Sequence, residues 1–90
     1  MILAAVRHPV SDYDKWKAVY DTYPPTSHGA KFARVNRSVD DPNMVMVVCG
    51  FDTLDEANTF NNDPILKAKM GEAGVVVAPR IEMYEEVEVT

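Results

Sequence analysis

The 90-residue sequence predicts an α+β domain with the element order βαββαβ and a four-stranded antiparallel sheet. Three observations favour this class. Residues 44–51 form one long run without a polar side chain, which is typical of a strand covered on both faces. Two helix-start signals occur, at Ser11 and Thr53, and residues 80–89 alternate between apolar and polar side chains. We therefore expect residues 1–90 to form a single domain.

The first half of the chain predicts a strand, a helix and a second strand. Residues 2–8 are small and apolar, with polar residues only at the end (Arg7 and His8), and Pro9 is expected to end this first strand. Ser11 is expected to cap a helix, because two aspartates follow it in the first turn. The helix should run up to the proline pair that begins at Pro24. Residues 31–39 are polar enough to form an edge strand.

The second half begins with a turn over residues 41–43, which predicts a hairpin between the second and third strands. Thr53, with a glutamate three residues on, forms a capping box and starts the second helix. A further helical piece should open at Pro64, with Gly74 capping its end. Residues 75–77 are expected to be extended, and the alternating last strand should be another edge.

The predicted topology leaves one face of the sheet uncovered. Right-handed crossovers place both helices on the same face, and strands one and three in the middle. One half of the third strand must then face away from the helices. That half is one of two sets: Met44, Met46 and Val48, or Val45, Val47, Cys49 and Phe51. Either set is an apolar patch that sheet-on-sheet packing in a two-fold homodimer would bury.

Composition excludes several classes of function. The net charge of -5 and the absence of basic runs argue against nucleic-acid binding. The single cysteine, Cys49, cannot form an internal disulfide and is expected to be buried and reduced. No signal peptide or membrane-spanning segment is evident, so a cytoplasmic protein that does not bind membranes is expected. The two histidines have no third partner at ligand spacing, which predicts no metal site.

Four segments carry a resemblance to a known superfamily: residues 11–20 (SDYDKWKAVY), residues 40–43 (DDPN), residues 50–57 (GFDTLDEA) and residues 73–75 (AGV). Over residues 6–87 the chain resembles the dimeric α/β-barrel superfamily, in particular the small proteins grouped with antibiotic-biosynthesis monooxygenases. The resemblance implies a ferredoxin-like protomer, a barrel formed by two sheets, and a cavity between helices and sheet in each protomer.

The same resemblance implies several possible chemistries, including cofactor-free oxygenation of aromatic polyketides, haem degradation, isomerisation and cyclisation. The haem-degrading pattern has an Asn on the first strand, a Trp on the third and a His on the second helix. In this sequence the only tryptophan, Trp16, lies on the first helix, and the second helical region has no histidine. Haem degradation is therefore disfavoured, and no cofactor is expected.

Two regions supply the candidate site residues. We predict that His28, Tyr23 and Arg34 together supply the acid, base and orienting groups for a small apolar or aromatic ligand, and that His28 is a candidate general base for a phenol or an enolisable carbon. Four aromatic residues recur at helical spacing: Tyr13, Trp16, Tyr20 and Tyr23. Of these, Trp16 and Tyr20 are predicted to line the ligand site, together with two residues of the second strand, Phe32 and Asn36.

Each candidate has a simpler structural interpretation. The aromatic stripe can be ordinary core, His28 a solvated loop histidine, and Arg34 with Asn36 an exposed edge. His8 is expected to be structural or on the surface. The sequence thus predicts a cofactor-independent monooxygenase, cyclase or isomerase acting on a planar apolar, polyketide-like substrate. A non-catalytic dimeric module that binds a ligand or is associated with stress is the alternative.

Overall fold

The computed structural model describes residues 1–75 and 77–90. Within this part the secondary-structure elements follow the predicted order, including the further helix at Pro64, with one additional turn of 3-10 helix. They are β1 (Ile2–Pro9), α1 (Tyr13–Tyr20), a turn of 3-10 helix (Pro25–Ser27), β2 (Phe32–Arg37), β3 (Met44–Phe51), α2 (Leu54–Asn61), α3 (Pro64–Glu72) and β4 (Arg80–Glu85). The sheet order β2-β3-β1-β4, with every pairing antiparallel, confirms the predicted α+β fold with strands one and three in the centre.

The hairpin between β2 and β3 forms at the predicted turn. The backbone N–H of Asn43 donates to the Asp41 carboxylate at 3.0 Å, and the N–H of Met44 donates to the Asp41 carbonyl at 3.0 Å. The side chain of Asp41 thus satisfies the amide inside the turn, as expected for an aspartate at its first position. This turn sets the register in which Phe32 lies opposite Gly50.

The helix starts agree with the sequence at α2 and differ at α1. Thr53 caps α2 by accepting the N–H of Glu56 at 3.2 Å. At α1 the cap is Asp12, and the prediction of Ser11 is wrong. The reason is that Ser11 is still part of extended chain: its N–H donates to the Gly74 carbonyl at 3.3 Å, beside the bridge between residues 10 and 75.

Helix α1 ends three residues earlier than the aromatic spacing predicts. The N–H groups of Thr22 and Tyr23 donate to carbonyls three residues back, and the Thr22 hydroxyl donates to the Val19 carbonyl at 2.6 Å. These bonds tighten the chain into a turn ahead of Pro24. Tyr23 therefore stands outside the helix, at a different angle from Tyr20.

Both edge strands are shorter than predicted. β2 ends at Arg37, because Ser38 begins the connection and its hydroxyl accepts backbone N–H groups of that connection at 3.2 Å. β4 ends at Glu85, which lies opposite Ile2, the first residue of β1. Beyond this pair one backbone bond follows, from the Glu86 N–H to the Met1 carbonyl at 2.9 Å. Residues 75–77 are predicted to be extended, and Val75 forms an isolated antiparallel bridge with Val10. The same prediction covers Val76, which lies outside the described residues.

The structure decides which half of β3 meets the helices. Val45, Val47, Cys49 and Phe51 are buried on the helix-covered face, where they join Trp16, Ala57 and Phe60 in the core. Met44, Met46 and Val48 point to the other face and are only half-buried. We call this second side the open face of the sheet. At the end of α3, Gly74 adopts a φ of 82°, the left-handed conformation predicted for its cap.

Candidate functional site

A cavity of about 510 Å³ lies between the helix-covered face of the sheet and helices α1 and α3. Its volume is within the range of roughly 300–1,000 Å³ that is usual for small-molecule sites. The sheet contributes Val6, His8, Val47, Cys49 and Ile81 to its wall, and α1 contributes Trp16, Val19 and Tyr20. Exposed residues of α3 and of the segment before β4, among them Lys67 and Val77, also line it, so the cavity reaches the surface there.

The aromatic wall of the cavity is built by α1. Trp16 is 3% exposed, and its ring centroid lies 5.0 Å from that of Tyr20 and 5.8 Å from that of Tyr13. Trp16 and Tyr20 are one helical turn apart, so both rings project from the same side of the helix. Both residues thus lie in the cavity wall, and their contact with a ligand stays a prediction. A flat apolar molecule could lie along the wall that they form.

Tyr23 lines the cavity but is engaged at its hydroxyl. That hydroxyl donates a hydrogen bond to Asp63, the residue that caps α3 by accepting the N–H of Ile65 at 2.9 Å. The hydrogen bond raises the pKa of Tyr23 and lowers that of Asp63, because it stabilises the protonated phenol and the ionised carboxylate. Tyr23 therefore joins the end of α1 to the start of α3.

His28 does not line this cavity. Its ring is exposed and stacks on the outer side of Tyr23, with centroids 3.7 Å apart and an interplanar angle of 17°. It borders a separate, more open groove beside Phe60 and Asp63. The structure thus brings His28 next to Tyr23, but it separates His28 from the wall formed by Trp16 and Tyr20.

The histidine that does line the cavity is His8. Of the two expected positions for His8, structural or on the surface, the surface position is wrong, because the side chain is buried. His8 is 2% exposed, and its ring centroid lies 5.7 Å from that of Trp16. Burial removes water from the imidazole and lowers its pKa below 6.5. The ring is therefore neutral at pH 7, and a neutral imidazole can accept a proton from a bound ligand.

Two further cavity residues remain protonated at neutral pH. Burial raises the pKa of Tyr20 to about 12, so its hydroxyl is a hydrogen-bond donor. Burial likewise raises the pKa of the Cys49 thiol to about 11, and Cys49 is buried as predicted. The thiol is an unreactive part of the wall rather than a nucleophile.

The three candidates on β2 lie on the other side of the sheet. Phe32, Arg34 and Asn36 are opposite Gly50, Val48 and Met46 in the register, so they share the open face. The Arg34 guanidinium lies 4.4 Å from the Phe32 ring centroid, and the Asn36 amide donates to the Met46 carbonyl at 3.2 Å. The structure does not bring these residues together with the cavity, and it places Arg34 away from Tyr23 and His28.

Among residues 1–75 and 77–90, no three His, Cys, Asp or Glu side chains are grouped as metal ligands would be. In the same described ranges, no helix has both the length and the apolar character to cross a membrane.

Solved structures match this fold, whereas no protein-family model matches the chain and no curated protein matches it at a significant level. A presumed antibiotic biosynthesis monooxygenase from Deinococcus radiodurans has a TM-score of 0.78 and 14% identity, covering 100% of this chain and 96% of that one. Another, from Caulobacter crescentus CB15, has a TM-score of 0.77 and 17% identity, covering 97% and 90%.

SnoaB, a cofactor-independent oxygenase from Streptomyces nogalater, has a TM-score of 0.80 and 10% identity, covering 98% of this chain and 94% of that one. At sequence identities of 10–17%, these comparisons show a shared fold and nothing about activity. The structures from Deinococcus radiodurans and Caulobacter crescentus bear the name of the group that the sequence resembles. The chain therefore has the ferredoxin-like α+β fold of antibiotic-biosynthesis-monooxygenase-like proteins.

Proposed function

We propose that this protein binds a flat, largely apolar small molecule between its helices and its sheet and deprotonates it there. The observation that carries the proposal is the cavity itself, whose wall is mostly aliphatic and aromatic and includes a buried imidazole. Apolar pockets with a few placed polar groups are the usual form of a small-molecule site. The fold shared with SnoaB, a cofactor-independent oxygenase, supports the same class of chemistry.

The first step of the proposed reaction is proton transfer to His8. The neutral imidazole accepts a proton from a phenol, or from a methylene group next to a carbonyl, and the substrate becomes an electron-rich anion. The Tyr20 hydroxyl, kept protonated by burial, donates a hydrogen bond to the oxygen on which that charge develops. In this proposal His8 replaces His28 as the base, because His28 and Arg34 lie outside the cavity.

The proposed second step is reaction of the anion with molecular oxygen, without a bound cofactor. An activated methylene and O2 give a ketone and water: two C–H bonds are lost, one C=O bond forms, and the second oxygen atom leaves as water. The substrate loses four electrons and O2 gains four, so no further reductant is required. Cyclisation or isomerisation would begin with the same deprotonation and would consume no oxygen.

Oxygen uptake with anthrone as the probe tests this proposal, because anthrone is planar, tricyclic and has an activated methylene. We expect the protein to accelerate oxygen consumption and to form the quinone in a one-to-one ratio with O2. The H8Q variant should lose this acceleration and H28Q should keep it. The opposite pattern would return the role of base to His28.

Binding without turnover would favour the alternative of a non-catalytic module. Titration of the protein with anthracene, which lacks the activated methylene, measures binding separately from chemistry. Saturable binding of anthracene, with no oxygen uptake and no isomerised or cyclised product from enolisable probes, would support the module. Failure of both probes to bind would contradict the proposal for the cavity as a whole.

We also propose that two copies pack through the open face of the sheet. Met44, Met46 and Val48 on β3 lie there beside Leu3 and Ala5 of β1, and all are only half-buried in one protomer. A two-fold contact would bury this apolar patch twice. Size-exclusion chromatography with light scattering at micromolar concentration should give the mass of a dimer, and a monomer mass would contradict the proposal.

A further inference from the structure

The ionised side chains around the cavity all carry the same sign of charge. Among the described residues that line it, the ionised ones are Lys67 and Lys69, and none is an aspartate or glutamate. The chain as a whole has the opposite balance, with 14 Asp and Glu against 9 Lys and Arg. The mouth of the cavity is therefore positive on an acidic protein.

Lys69 lies on the side of α3 that faces the cavity. It is three residues after Leu66 and four before Ala73, spacings that place all three on one side of a helix. Ala73 is buried at 3% exposure, and Leu66 and Lys69 are half-buried. The apolar stem of Lys69 can thus extend along the wall while its ammonium group reaches the mouth.

Neither cavity lysine is neutralised by the protein. Within residues 1–75 and 77–90, no carboxylate lies within 4.0 Å of the ammonium group of Lys67 or Lys69. By contrast, Lys17 and Lys31 each lie beside an aspartate, at 2.5 and 3.3 Å. A half-buried ammonium at an apolar cavity, without an acidic partner, is suited to an anionic group on a ligand.

We infer that the ligand is a planar aromatic acid whose carboxylate is held by Lys69, with Lys67 at the rim. This inference rests on the proposed function and specifies its ligand class. The rings lie along Trp16 and Tyr20, and the carboxylate points to the α3 side of the mouth. One ionic anchor and one stacking wall together fix the orientation of the ligand relative to His8.

The fluorescence of Trp16 provides a direct readout, because it is the only tryptophan and it lines the cavity. The matched probes are anthracene carboxylate and anthracene carboxamide, which have the same shape and differ in charge. We expect the carboxylate to bind about tenfold more tightly, the scale of one partly screened charge-assisted hydrogen bond. The ratio of the two affinities should fall to about one in K69Q and should decrease with added salt.

The control variant is K15Q, since Lys15 is exposed on α1 and does not line the cavity. K15Q should retain the wild-type ratio of affinities. Equal binding of the two probes to the wild type, or an unchanged ratio of affinities in K69Q, would overturn the inference. In either case, binding of the carboxamide would still support the proposed apolar binding cavity. Absence of binding by either probe would instead count against the proposed function.

Discussion

Replacement of Trp16 by leucine tests whether the aromatic wall holds α1 on the sheet. Trp16 is 3% exposed and contacts the rings of His8, Tyr13 and Tyr20 at centroid distances of 5.0–5.8 Å. Leucine would bury roughly 80 Å² less apolar surface, which corresponds to about 2 kcal/mol. The three ring contacts add at least about 0.5 kcal/mol each. The expected loss in free energy of unfolding is therefore about 3.5 kcal/mol.

This loss is large relative to the expected stability. A chain of this length has a free energy of unfolding of roughly 4.5–13.5 kcal/mol. Urea denaturation followed by circular dichroism suits the experiment, because the variant has no tryptophan fluorescence. With a urea m-value of about 1.5 kcal/mol per M, the midpoint should fall by roughly 2 M.

The matched control is Y13L on the same helix. Tyr13 is half-buried, does not line the cavity, and has the Arg37 guanidinium 4.0 Å from its ring centroid. We expect Y13L to lose less than about 1.5 kcal/mol, as is usual for a partly exposed position. If W16L lost no more than Y13L, the conclusion that the aromatic wall around Trp16 holds α1 on the sheet would be refuted.

Three further predictions follow from burial and sheet geometry. Because burial lowers the pKa of His8, the unfolded chain binds a proton before the folded protein does as the pH falls through 6.5. The contribution of His8 to stability is thus complete above that pH and decreases below it. Urea titrations at about pH 7.5 and 5.5 should therefore show a smaller decrease in the free energy of unfolding for H8Q than for the wild type. Cys49, with its pKa raised to about 11, should react slowly with iodoacetamide at neutral pH until urea unfolds the protein, as mass spectrometry would show. V48K should produce monomers in light scattering, whereas N58K on the exposed side of α2 should leave the dimer intact.

Each of these predictions has a clear contrary result. An equal decrease in stability of H8Q and the wild type between the two pH values would show that the imidazole is not desolvated. Rapid alkylation of Cys49 in the folded protein would mean that solvent and reagent reach the thiol. A dimer that persists in V48K would place the contact between protomers away from the open face.

The fold could be predicted because its determinants are local in the sequence. The apolar run of β3, the aspartate turn before it and the Thr53 cap each specify one element, and together they leave few topologies. The start of α1 could not be predicted, since Ser11 is drawn into extended structure by a backbone bond to Gly74, 63 positions along the chain. Such long-range pairing overrides a local capping preference.

The candidate site was less predictable, because alternation does not say which face the helices cover. Arg34 and Asn36 share a parity with Phe32, but only the packed sheet shows that this parity belongs to the open face. For His8 a usable signal exists: it continues the alternation of Ala4 and Val6, which are both buried. The position of Lys69 on the inward side of α3 was likewise visible in its spacing from Leu66.

A crystal structure of the protein with bound anthrone, grown without oxygen, tests the central claim most directly. The account predicts the tricyclic ring between the Trp16–Tyr20 wall and the side chains of Val47 and Cys49, within reach of His8. A ring bound only outside this space, or a cavity that stays empty at saturating anthrone, would contradict it.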